Sequence, residues 1–256
     1  MSGHKAGDVS TGSSGRSGSR GRDIAILVFA LFFPTALTYA YFVWGQTTVP
    51  GAAKFLYLAG KTIQFAFPVL VVSFILKERV LARPFNWRGV LMGSLFGIIV
   101  GATIFLLGRY GLTSPSFSES EFVLQLRREF SSRVVALGLA STRAFLVTAI
   151  FYSIIHSGLE EYYWRWFTFG RVSRFVGILG AVSITNIAFT LHHVVVLGVY
   201  FGYDNILTWL CSLGVFVGGV VWQTIYYKND SIYGGWISHG FVDAGIYGIG
   251  FLMLPS

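Results

Sequence analysis

The chain has 256 residues, of which 54% are hydrophobic and only 12% charged, with a formal net charge of +8. A soluble domain carries about 25% charge, so this composition excludes an ordinary soluble protein and points to the membrane. The positive balance then reflects Lys and Arg in loops facing the cytoplasm rather than a nucleic-acid surface, and the single Cys, Cys211, excludes a disulfide framework.

Residues 1–22 are rich in Gly, Ser and Arg with almost no aliphatic content; such a stretch cannot bury a core and is expected to be a disordered tail. Residues 23–256 are expected to form one all-α domain, a polytopic membrane bundle. An α-helix needs about 20 apolar residues to cross a hydrocarbon core of roughly 30 Å, and runs of that kind recur along the chain. They cover about 24–44, 55–76 and 89–107. The third carries Gly93, Gly97 and Gly101 at four-residue spacing, a stripe that lets another helix approach closely. A polar connection follows, Arg109–Arg133, whose back half reads as an amphipathic helix lying at the interface. The fourth span runs from about Arg143 into the stretch 157–170, and the remaining spans cover about 183–201, 206–226 and 232–254. The count is about seven, within a range of six to eight.

Lys and Arg cluster in the tail (Lys5, Arg16, Arg20, Arg22), in the second loop (Lys77, Arg79, Arg83, Arg88) and around Arg165, Arg171 and Arg174. The positive-inside bias therefore places the N-terminus in the cytoplasm, with the Arg-bearing third loop as an exception. We expect a multi-pass protein of a prokaryotic plasma membrane.

Three groups of polar residues interrupt the apolar spans. The first is Glu160 and Glu161 with Arg165. Glu161 and Arg165 are four apart on a helix and can pair, which leaves Glu160 free for another partner; His156 is also four residues from Glu160. The second group is Asn186, Phe189 and His193, whose offsets of three and seven put them on one helical face, with His192 about 100° away. The third is His239 and Asp243, again four apart. Each group alone is compatible with a buried packing network.

An antiparallel pairing of the fourth and fifth spans brings two of the groups together. The midpoint between Glu160 and His193 falls between Val176 and Gly177, amid Arg171, Ser173 and Arg174, where the sequence also supplies a turn. Arg165, about 7.5 Å along the helix from Glu160, is read as the cytoplasmic boundary, so the pair would lie shallowly in the cytoplasmic leaflet. Ionisable residues within spans face a bundle interior or a wet cavity. A carboxylate and imidazoles there suit hydrolysis, in which one group takes a proton from water and others steady an oxyanion. Neither Cys211 nor any Ser has a matching partner motif for nucleophilic catalysis.

Taken together, the ordered motifs Glu160-Glu161-x-x-x-Arg165, Phe189-x-x-x-His193 and His239-x-x-x-Asp243 resemble those of the CPBP family, the CAAX prenyl endopeptidases and bacteriocin-processing proteins, which are glutamic intramembrane proteases. The resemblance covers about residues 143–250. It implies that Glu160 and His193 activate a water, that Glu161 and Arg165 support them, and that His239 and residue 243 stabilise the oxyanion. His156, Asn186 and Phe189 are further candidates to support the site. The family's best-understood endopeptidases carry Asn at the position of Asp243, and an ionised Asp cannot donate to an oxyanion. It would have to be protonated or orient His239.

The function expected is thus hydrolysis of a peptide bond in a membrane-anchored or lipidated substrate, without cofactor and without nucleic acid. Other readings stay open. Zinc held by Glu160, His193 and His239 is chemically acceptable, although no H-E-x-x-H occurs. A non-proteolytic scaffold, or an immunity or regulatory partner of the same fold, is the alternative of a different class. A transporter finds no internal repeat to support it.

Overall fold

A computed structural model describes residues 13–45, 48–80 and 83–254. Seven continuous helical stretches and the short connections between them make up the described residues, and no strand occurs among them. We number the helices in chain order: α1 (Ser13–Tyr39, continued by the π-helical Ala40–Gly45), α2 (Pro50–Leu70, continued by the π-helical Val71–Ile75), α3 (Trp87–Thr113) and α4 (Glu121–Ala136). A 60-residue helical run from Thr142 to Phe201 then divides at Gly177 into α5 (142–176) and α6 (178–201), and α7 (Ile206–Asn229) and α8 (Tyr233–Leu252) complete the chain. Helix α1 begins well before residue 23, and residues 1–12 of the expected tail lie outside the described residues.

Among the described residues, five stretches are long and apolar enough to cross a membrane, the 60-residue run among them. That run makes two passes because Gly177 sits at φ 67°, ψ 175°, a region that only glycine occupies without strain. Helix α8 is not among the five; its glycines, His239 and Asp243 dilute its apolar content. Seven passes result when the run is counted twice and α8 is added.

Side-chain caps set the helix starts. Asn86, Ser120, Ser141 and Asn205 each accept a backbone N–H of the first turn of α3, α4, α5 and α7, satisfying donors that a helix start leaves unpaired. The amphipathic α4 forms as expected and packs through Val123 against Leu112 and Met253, while Arg127 donates to the Leu112 carbonyl at 3.0 Å.

The glycine stripe of α3 meets α8. A Cβ at Gly97 would come within 2.6 Å of the Ser238 backbone, and Gly93 and Gly101 face Gly234 and Phe241 in the same way. These two helices therefore touch backbone to backbone. The main core lies between α1, α2, α5, α6 and α7 and contains Ala30, Val71, Tyr163, Trp164, Phe167, Phe189 and Trp222. Tyr163 donates its hydroxyl to the Ala30 carbonyl at 2.8 Å and ties α5 to α1. Large apolar side chains such as Phe55, Phe74 and Leu179 point outward, as a lipid-facing surface requires.

Charged clusters mark one end of the bundle. Arg171 binds Glu78 through two nitrogens, at 2.9 and 2.5 Å, and Arg174 adds a contact at 3.4 Å; Arg83 pairs with Asp230 at 2.8 Å. Burial by the helix neighbours does not decide the charge of Glu78. The Arg171 hydrogen bonds do, holding its carboxyl below the usual carboxylate range.

Candidate active site

Glu160 and Glu161 occupy a short α-helical segment, Ser157–Glu161, between two π-helical ones, Phe151–His156 and Tyr162–Phe169. π-Helical turns occur often at functional sites. Both carboxylates are buried, at 2% and 0% exposure, so each needs compensating charge or hydrogen bonds.

Glu161 has two fixed partners. Its Oε2 lies 3.2 Å from Arg165 Nε, and its Oε1 accepts from His239 Nδ1 at 3.2 Å. The Arg165 guanidinium sits over the rings of Phe189 and Trp222, at 4.9 and 5.7 Å. This corrects the sequence reading of Arg165 as a boundary residue. It is completely buried, because aromatic faces from α6 and α7 give its cation a seat that hydropathy along α5 does not reveal. The ion-paired cluster at the end of the helix lies instead at Arg171 and Arg174. Glu160 lies eleven residues before Arg171, and His239 nine after Asp230, or about 13–16 Å of helix at 1.5 Å per residue. That length separates the site from the charged end of the bundle.

Glu160 faces four basic groups. Its Oε1 is 3.6 Å from His192 Nε2, 3.8 Å from His156 Nε2 and 4.0 Å from Lys61 Nζ, and its Oε2 is 3.9 Å from His239 Nε2. His239 Nε2 is also 3.8 Å from Asp243 Oδ1. The three polar groups of the sequence thus meet in one place, brought there by the α5–α6 hairpin and by α8.

His193 donates from Nδ1 to the Phe189 carbonyl at 2.9 Å, which fixes its ring. His192, expected to point elsewhere, is the more buried of the two and lies parallel to Trp164, with ring centres 5.7 Å apart. A 100° offset along α6 does not remove a long ring from the seam with α5, and Glu160, His192 and His193 offer ligand atoms all within 4.8 Å of one another. His156 packs between Tyr152 and Phe65. Phe189 forms the floor under Arg165. Asn186 is held away from the carboxylates, donating to Gln223 Oε1 and to the Val182 carbonyl at 2.8 Å each; it fastens α6 to α7.

Residues 142–245 match the family model described as "Type II CAAX prenyl endopeptidase Rce1-like". Over this segment the chain is similar to the Rce1-like family. That similarity supports, at the level of the family, a CAAX-type intramembrane endopeptidase. The Rce1-like segment opens at the first residue of α5 and closes just after Asp243, so it holds every motif residue and leaves Lys61 outside. Neither a curated protein nor a solved structure matches the chain.

Two site residues, Lys61 and His192, were missed from sequence. A Lys near the centre of an otherwise apolar span is a signal in its own right.

Proposed function

We propose that the protein hydrolyses a peptide bond in a membrane-anchored or lipidated substrate with a water activated by Glu160. The convergence of four basic groups on one buried carboxylate, at 3.6–4.0 Å and without a direct hydrogen bond, carries this reading. Such spacings suit groups that share a water.

The ring geometry supports distinct roles. His193 uses Nδ1 for Phe189, so in its neutral form Nε2 is an acceptor. A water giving one O–H to Glu160 and the other to His193 turns a lone pair toward the substrate carbonyl carbon. As the new C–O bond forms, Glu160 takes the proton. When the C–N bond breaks, Glu160 returns that proton to the leaving amine; the products are a carboxylic acid, which keeps the second proton of the water, and an amine, and transfer of that proton between them gives the carboxylate and the ammonium. His239 gives Nδ1 to Glu161, and when doubly protonated it also donates from Nε2 to the oxyanion. Asp243 Oδ1, 3.8 Å from the same Nε2, then favours the imidazolium through its charge rather than through a hydrogen bond, which gives position 243 a role that needs no donor. We place the Arg171–Glu78 end at the cytoplasmic face, following the positive-inside bias.

A zinc reading is favoured by one observation, the compact set Glu160, His192 and His193, since three protein ligands are the usual number at a catalytic zinc. Lys61 opposes it by setting a positive charge 4.0 Å from the shared carboxylate oxygen. Metal analysis of purified protein and the effect of chelators on activity decide between them.

Mass spectrometry of protein termini tests the proposal and finds the substrate in the same experiment. New internal termini should be present in cells with the wild-type protein and missing from both a deletion strain and one carrying Glu160→Gln. Identical termini in all three strains would overturn it.

A further inference from the structure

We propose that Lys61 is the resting counter-ion of Glu160 and so a positioning residue of the hydrolytic site, supplied by a helix outside the Rce1-like segment. The inference rests on the reading of Glu160 as the water-activating base.

Two adjacent carboxylates lie buried in the middle of a bundle that spans the membrane, and each needs a partner charge. Glu161 has a dedicated one in Arg165, at 3.2 Å. The other neighbours of Glu160 are His156, His192 and His239. An imidazole can be neutral or charged, and His239 already has Glu161 and Asp243 as acid partners. Lys61 is the remaining cation among these groups, and its charge does not depend on the proton transfers of the reaction.

Its placement is built rather than incidental. Lys61 lies eleven residues from the start of α2 and fourteen from the end of the π-helical Val71–Ile75, too far from either end for its chain to reach the charged rim. The side chain is only 13% exposed. Tyr57 and Phe65, one turn before and one turn after, place their rings 5.7 and 5.4 Å from the ammonium, a cation–π seat on both sides. Phe65 also meets His156 and Tyr163 edge-on, with ring centres at 5.7 and 6.4 Å. The residue that seats Lys61 therefore also fixes α2 against the helix that carries Glu160.

The experiment combines a double-mutant cycle with kinetics on the reconstituted full chain. Lys61→Met, Lys61→Arg, Glu160→Gln and the Lys61→Met/Glu160→Gln pair are compared by thermal unfolding in detergent and by cleavage of a substrate found by terminal proteomics. We expect Lys61→Met to lower kcat by about tenfold to a hundredfold with KM within about twofold, and Lys61→Arg to recover most of the loss. Lys61→Met should lower the unfolding midpoint in the wild-type background and much less beside Glu160→Gln, since the charge it leaves unpaired is then gone. Equal midpoint shifts in both backgrounds, or an unchanged kcat in Lys61→Met, would overturn the proposal. If Lys61→Met does not insert, Lys61→Gln takes its place in both measurements. An active Glu160→Gln protein would instead defeat the reading of Glu160 as base, while the unfolding cycle would still judge the Lys61–Glu160 pairing.

Discussion

Replacing Arg165 by Met separates the structural half of the site from the reacting half. The guanidinium is completely buried, its Nε is 3.2 Å from Glu161, and its plane lies over Phe189 and Trp222. Methionine keeps most of the length and apolar contact of the side chain but removes the dedicated cation of Glu161, leaving this buried carboxylate with His239 alone. Breaking a buried pair in this way costs about 3–5 kcal/mol. At about 2–4 °C per kcal/mol for a chain of this size, the unfolding midpoint in detergent should fall by roughly 6–20 °C. Adding Glu161→Gln should restore most of that loss, because removing both partners of a buried pair is often close to neutral. Activity should not return in the double variant, since His239 Nδ1 would face an amide in place of the carboxylate that fixes its proton. Thermal unfolding followed by intrinsic fluorescence gives the first quantity, and a cleavage assay gives the second. The reasoning is refuted if Arg165→Met melts with the wild type, or if the double variant melts as low as the single one.

Other consequences can be checked with the same preparations. Glu78→Gln should lower the midpoint slightly at pH 7, within the roughly 0–1 kcal/mol of an exposed ion pair. Because Arg171 depresses the Glu78 carboxyl, that contribution is present above the unfolded pKa of about 4.3 and fades as pH falls through the lower folded value, so the gap between the two proteins should shrink as pH falls below about 4.3; a gap that stays constant over that acid range contradicts the assignment. Gly97→Ala should destabilise strongly, by about 1–3 kcal/mol or more, because its Cβ would meet the Ser238 backbone, whereas Gly214→Ala, with nothing within 4 Å, should be tolerated; size-exclusion profiles report both. Gly177→Ala meets no atom within 4 Å, so its expected cost of about 1–3 kcal/mol comes from backbone conformation alone, and an unshifted midpoint would count against the turn described.

The parts of the site that follow from spacing on one helix were legible in the sequence. Glu161 with Arg165, His156 with Glu160 and His239 with Asp243 all stand four apart, and all are neighbours in space. The hairpin followed from one sum of positions and one glycine, and its turn falls at Gly177. What was not legible depends on contacts between distant segments. Lys61 reaches Glu160 because α2 packs on α5, through Phe65 and Phe67. Arg165 looks like a rim residue until Phe189 and Trp222 are placed over it. The bond from His239 to Glu161 and the position of His192 against Trp164 depend on where rings settle within a helix seam, which a 100° step per residue does not resolve. The glycine stripe of α3 announced close packing, yet nothing in its own sequence named α8 as the partner.

Cleavage of an identified substrate by reconstituted wild-type and Glu160→Gln protein, prepared free of metal, tests the central claim most directly. The account predicts that wild-type protein cuts one internal peptide bond without added metal, and that Glu160→Gln, folded and inserted, cuts at no measurable rate. Cleavage by Glu160→Gln within about tenfold of the wild-type rate, against the 10²–10⁴ that a positioned acid–base group supplies, would contradict it.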